Sequence, residues 1–160
     1  MRHVAYLLLL VPYAVLCYGH MDTPLKATTC ELYEHPEQYA GKMVMVRARV
    51  AGNDLWIDDF EQKACPSWMQ VVVVFPERMK PEPGFNLVRD DSLTKLLDSV
   101  REGKRVEAMF EGRFDAAFVW RNHKKIAVGT VAGFGKKNRY GGRIVLREVS
   151  DVLARPKPLR

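Results

Sequence analysis

The chain is short of the residues from which catalytic and metal centres are assembled. It has 160 residues, of which 3 are Cys and 4 are His. No C-x-x-C or H-x-x-x-H spacing occurs among them, so no zinc-type ligand set is legible. Cys30, His35 and Cys65 are the residual alternative. Gly-x-Ser-x-Gly, Gly-x-x-x-x-Gly-Lys-Ser/Thr and His-Glu-x-x-His are all missing. With them go the signatures of the hydrolase nucleophile, the phosphate-binding loop and the zinc protease. Gly129, Gly133, Gly135, Gly141 and Gly142 do not follow a strand-to-helix unit and read as loop hinges, not a dinucleotide cradle. Asp54, Asp58, Asp59 and Glu61 lack the fixed spacing of a calcium loop. No internal repeat or low-complexity segment is present. At 48% hydrophobic and 28% charged residues, the composition is that of a folded domain, not of a disordered chain. The expectation is one domain without catalytic residue, metal or cofactor, a metal-dependent or enzymatic protein being the weaker alternative.

The only long apolar run is Val4 to Leu16, preceded by Arg2. A basic start and about a dozen apolar residues match a secretory signal and fall short of the ~20 that span a bilayer. Small residues at Cys17 and Gly19 suit cleavage after Gly19, giving an exported, periplasmic or extracellular product with no stable membrane span. An uncleaved anchor or a buried N-terminal helix is the other reading, and Pro12 counts against a helix. Lipidation at Cys17 calls for a small residue before it, where Leu16 stands. Cleavage leaves Cys30 and Cys65, an even pair in an oxidising compartment, which favours a disulfide. By the chain-entropy account such a bridge contributes about 3–4 kcal/mol. Two unpaired thiols are the alternative.

After a flexible lead-in over 20–29, Thr28 or Thr29 caps a short helix through Glu34, ended by Pro36 and Gly41. Val44, Val46, Ala48 and Val50 then alternate with Met43, Met45, Arg47 and Arg49, a strand with one buried face. A turn at Gly52-Asn53-Asp54 leads to a second strand over Leu55–Asp58. The third, Met69–Phe75, carries four consecutive valines, which implies cover on both faces by the helix or the N-terminal segment. Asp90, Asp91 or Ser92 caps the clearest helix, with Leu93, Leu96, Leu97 and Val100 at i, i+3, i+4, i+7 and Gly103 as its stop. Val106, Ala108, Phe110, Gly112 and Phe114 line the inner face of a fourth strand, with Phe118–Trp120 as its candidate extension. Gly112 marks a bulge or a barrel corner. Arg121–Gly142 is a long connection with a short strand near Ile126–Val128, and Ile144–Val152 is the last strand. This order predicts a mostly β fold with one main helix: a five-stranded OB-like Greek-key barrel (β-β-β-α-β-β) over 30–153, preceded by the short helix and followed by a flexible tail over 154–160. Another small barrel or an open α+β sheet is the alternative.

Cys30-Glu31-Leu32, followed by Pro36-Glu37-Gln38-Tyr39-Ala40-Gly41-Lys42-Met43-Val44-Met45-Val46, resembles the opening of exported bacterial OB-fold-like proteins of unassigned function. Gly133-Phe134-Gly135 and Val149-Ser150-Asp151-Val152 are similar to their closing half. The resemblance implies fold and export and no reaction. Ala48 stands where such families often have Gly, and Lys136 where a His commonly follows the Gly-Phe-Gly, so no role of that His carries over.

Charge is unevenly spread. Residues 20–102 hold 10 basic and 14 acidic side chains, and residues 103–160 hold 14 and 5. The basic density peaks in the last connection, where Arg121, Lys124, Lys125, Lys136, Lys137, Arg139 and Arg143 are interleaved with Trp120, Phe134 and Tyr140. These ten residues form the candidate binding loop, and Trp56 and Trp68 the candidate barrel face. In an OB barrel such a loop contacts nucleic acid, with bases stacked on rings and cations along phosphates. An anionic surface uses the same charge without stacking, and a solvated, solubilising loop needs no ligand at all. Because export makes nucleic acid less available, the favoured expectation is a non-catalytic binding or assembly module for a protein or envelope component. A single-stranded oligonucleotide-binding protein is the alternative.

Overall fold

Two strictly alternating strands set the architecture. The computed structural model describes residues 23–51, 55–58, 70–79, 85–121 and 124–156. In β2 (Met43–Ala51), Val44, Val46, Ala48 and Val50 are buried, and in β5 (Arg105–Ala116) so are Val106, Ala108, Phe110 and Phe114. The two strands pair antiparallel with Val46 opposite Phe110 and Ala48 opposite Ala108. Both apolar stripes therefore face the same interior, as a two-residue period requires.

The ring closes through three further strands. β3 (Trp56–Asp58) pairs antiparallel with β2 and with β4 (Val71–Val74). β4 runs parallel to β8 (Gly142–Arg155), which returns antiparallel to β5. The protein is mostly β and holds a closed five-strand barrel, in the order β2-β3-β4-β8-β5 and back to β2. Closure leaves these strands no long open edge. Between β4 and β5 in the chain lies α3 (Asp91–Arg101). Its N-cap, Asp90, accepts from the Leu93 backbone N–H at 2.9 Å, and Leu93 and Leu96 join the barrel core. No helix among the described residues is long and apolar enough to cross a membrane.

Five local expectations are corrected. The lead-in is not wholly loose, because Leu25–Ala27 forms β1, parallel to Val44–Val46. The reason is an edge: β3 covers β2 only from Arg49 to Ala51, and β1 satisfies backbone groups left open on the first half. Pro36 does not merely end α1 (Thr29–Glu34), whose Thr28 and Glu31 form a capping box. It opens a second short helix, α2 (Pro36–Tyr39), where its missing N–H costs nothing. Residues Phe118–Trp120 do not extend β5. The chain breaks at Ala117, whose N–H donates to the Gly141 carbonyl and whose carbonyl accepts from Val128 and Gly129. Past the break, β6 (Phe118–Arg121) and β7 (Lys124–Ala127) make a separate hairpin. Among the described residues, the second face of β4 is covered by neither a helix nor the strand of the lead-in: Val72 packs with Ala117, Phe118 and Phe134. Finally, Ala154 and Arg155, expected in the tail, pair with Val106 and Arg105 as the last rungs of β8. Residues 1–22, the turn expected at 52–54 and residues 157–160 lie outside the described residues.

Candidate functional site

The loop before β8 is built by a narrow neck and a charged tip. Phe134 and Tyr140 exchange backbone hydrogen bonds of 2.8 and 3.1 Å, and the Asn138 N–H donates to the Gly135 carbonyl at 3.2 Å. Two tip residues, Lys137 and Asn138, adopt left-handed backbone angles, which turn the chain sharply. Lys136, Lys137 and Arg139 are exposed.

Behind the tip the loop is fastened to the barrel. Phe134 is only 7% exposed and lies beside Val72 and Phe118, so it is not a free stacking surface. The Arg143 guanidinium stacks on its ring at 4.6 Å and donates to Asp115 at 2.8 Å. Asp115 also accepts from Arg113 at 2.9 Å, so one half-buried carboxylate joins two guanidinium groups. The Lys125 ammonium sits 3.9 Å from the Phe118 ring centre and donates to the Ala132 carbonyl at 3.0 Å. Arg143, Lys125 and Phe134, grouped in the sequence with ligand-binding residues, thus hold the loop down. Phe134→Ala is expected to weaken that docking by about 3 kcal/mol. Trypsin should then cut faster after Lys136, Lys137 or Arg139 while the barrel still melts cooperatively. An unchanged cleavage rate would show that Phe134 does not fasten the loop.

The docked loop faces β4 across an open cleft of about 540 Å³. One wall is Val72 to Phe75 with Leu55, and the other is Gly135, Lys136, Arg139 and Tyr140. Arg78, in a single 3-10 turn (Pro76–Arg78) after β4, completes the lining, its guanidinium 5.9 Å from the Phe75 ring. Arg78, Lys136 and Arg139 form no ion pair among the described residues. The neighbouring acid, Glu77, is taken by Arg89 at 2.7 Å. Three cations without an ion-pair partner among the described residues, set beside an apolar wall, attract an anion.

The ten loop candidates therefore divide. Lys136, Arg139 and Tyr140 line the cleft, Lys137 stands on the exposed tip, and Lys124 on the exposed β7. Trp120 and Arg121 lie in β6 opposite Lys125 and Lys124. On the barrel face, Trp56 is half-buried in β3 opposite Val72, and Leu55, not Trp56, reaches the cleft. Trp68 lies outside the described residues, as do Phe60, Cys65 and His123. Sequence reasoning missed Phe75, read only as the end of the third strand, and Arg78, in the Pro-bearing segment that follows it. Among the described residues no three His, Cys, Asp or Glu side chains are grouped to hold a metal ion. Asp58 of the calcium alternative receives two hydrogen bonds of 3.0 Å from Arg49. Asp58 in turn, chiefly through its hydrogen bond, raises Arg49 above the ordinary guanidinium range, against the opposing effect of burial. A raised cation stabilises at every pH below its unfolded value, so this contribution persists at neutral pH and fades only in strong alkali.

Compared with known proteins, the chain matches no family model, no curated protein and no solved structure.

Proposed function

We propose that the protein is an exported, non-catalytic binding or assembly module that recognises a protein or envelope component through its barrel face and basic loop. The observation that carries this reading is the cleft: the fastened loop presents Lys136 and Arg139, and the turn after β4 presents Arg78, none with an ion-pair partner among the described residues. A fixed, charged, concave surface beside apolar side chains is the usual form of a recognition site.

The barrel belongs to the OB type in this proposal. Support comes from the chain order of its elements, three strands, a helix and two strands, and from the parallel pairing of the third strand with the last. Export rests on the apolar run after Arg2. The Cys30–Cys65 bridge is part of the same reading, and Cys30 is buried in the first turn of α1. The oligonucleotide alternative relies on stacking rings, and Phe134 is spent on the loop's own packing.

A photo-crosslinking residue placed at position 136 tests the function, with position 95 on the exposed face of α3 as control. In envelope fractions of the source cell, position 136 should give a discrete adduct that position 95 does not. Equal labelling at both positions, or none at 136, would overturn the reading. Tight, salt-sensitive binding of a single-stranded oligonucleotide by the same protein would replace it with the alternative.

A further inference from the structure

We infer that the cleft between β4 and the loop 135–140 takes a small dianionic phosphate monoester, its phosphate among Arg78, Lys136 and Arg139 and its uncharged body against Tyr140 and Phe75. This deepens the binding-module reading and rests on it.

Three features select the class. The first is charge: three cations from two separate segments border one space, and among the described residues no carboxylate pairs with any of them. A single monoanion leaves that charge largely unmatched. The second is donor geometry. Two guanidinium forks and an ammonium offer more donors than a planar carboxylate can use, whereas the terminal oxygens of a phosphate monoester can accept from all three. The third is size and polarity. A space of about 540 Å³ matches a ligand of small-molecule dimensions. Phe75, Tyr140 and Leu55 are among its lining residues, so the rest of the ligand is a ring or a short chain without charge. Arg78 already lies over Phe75, which leaves its guanidinium edge free to donate.

Phenyl phosphate, phenyl sulfate and inorganic phosphate separate these requirements, because each of the last two lacks either the second charge or the ring. Calorimetric titration should show phenyl phosphate binding at least about tenfold more tightly than either. The double substitution Arg78→Ala/Arg139→Ala should weaken it by about tenfold or more without altering the melting temperature. Lys95→Ala removes a charge on the exposed face of α3, outside the cleft, and should change the affinity less than about twofold. Equal affinity for phenyl phosphate and phenyl sulfate, equal losses in the two variants, or no binding at millimolar ligand overturns the inference.

Vesicles of phosphatidylcholine containing phosphatidic acid or phosphatidylglycerol identify the source. Retention on phosphatidic acid alone assigns the monoester to a lipid end group, and binding of phenyl phosphate without vesicle retention assigns it to a soluble ester. Retention on both lipids equally reduces the cleft to a general anionic contact and overturns the class. If the titrations fail while the position-136 adduct persists, this inference falls and the binding-module reading stands. Loss of the adduct with retained phosphate binding has the opposite meaning.

Discussion

Val46→Asp is expected to leave the chain without a cooperative thermal transition. Val46 is fully buried, with Phe110 opposite it on β5 and Ala27 on β1. The core residues around it are apolar, so a carboxylate there meets neither water nor a cation. An ionised, unpaired group in such a place costs several kcal/mol, and taking up a proton instead only exchanges that cost for another. A domain of this size has about 5–15 kcal/mol in total, so the change removes most or all of it. The sign with pH follows: a carboxyl whose folded pKa is raised costs most at neutral pH, and part of the loss returns as acid protonates it. Lys137→Ala is the matched control. Lys137 is exposed on the loop tip, and its truncation should stay within about 0.5 kcal/mol. Circular dichroism melts of the two variants and the parent decide the matter. A Val46→Asp protein that melts within a few degrees of the parent would mean that the β2 stripe does not line the barrel.

That stripe illustrates what a single chain discloses about its fold. β2 and β5 are legible because each is long enough for the two-residue period to repeat and because one face meets the core and the other does not. α3 is legible for a similar reason: Asp90 and Gly103 bracket a leucine face at helical spacing. β1 could not be read this way. Three residues, Leu25–Ala27, carry no period, and their strand exists only because β3 is too short to cover the whole edge of β2. The hairpin of β6 and β7 escaped because its break at Ala117 is made by hydrogen bonds to Gly141, Val128 and Gly129, contacts that no local pattern encodes. The same distinction runs through the candidate site. The loop's charge is visible in its composition, and Lys136, Arg139 and Tyr140 do line the cleft. Phe134 has the look of an exposed ring among glycines and lysines, and becomes buried because the loop folds onto Val72. Arg78 joins Lys136 across more than fifty positions of sequence, through a tertiary approach of the loop to β4.

Gly112→Ala tests the tightest point of the barrel and should cost about 3 kcal/mol or more. Gly112 pairs with Val44 on one side and Leu146 on the other, at a shift in register between β5 and β8. A Cβ built on it would lie 2.2 Å from the Val145 carbonyl oxygen and 2.7 Å from Ile144 Cγ2. The second neighbour is a side chain that can turn away. The first is backbone, held beside the paired Arg113 and Val145, so relief requires two strands to separate. Gly41 provides the contrast. Its φ is +77° and nothing lies within 4 Å of an added Cβ, so Gly41→Ala pays only the dihedral penalty of about 1–2 kcal/mol. Gly112 therefore serves space and Gly41 serves backbone angle, and the two substitutions should differ in melting temperature by several degrees. Equal losses would mean that β8 does not approach β5 this closely at the bulge. A loss confined to Gly41→Ala would place the bulge elsewhere, and with it the inward direction of Phe110 and Phe114 on either side.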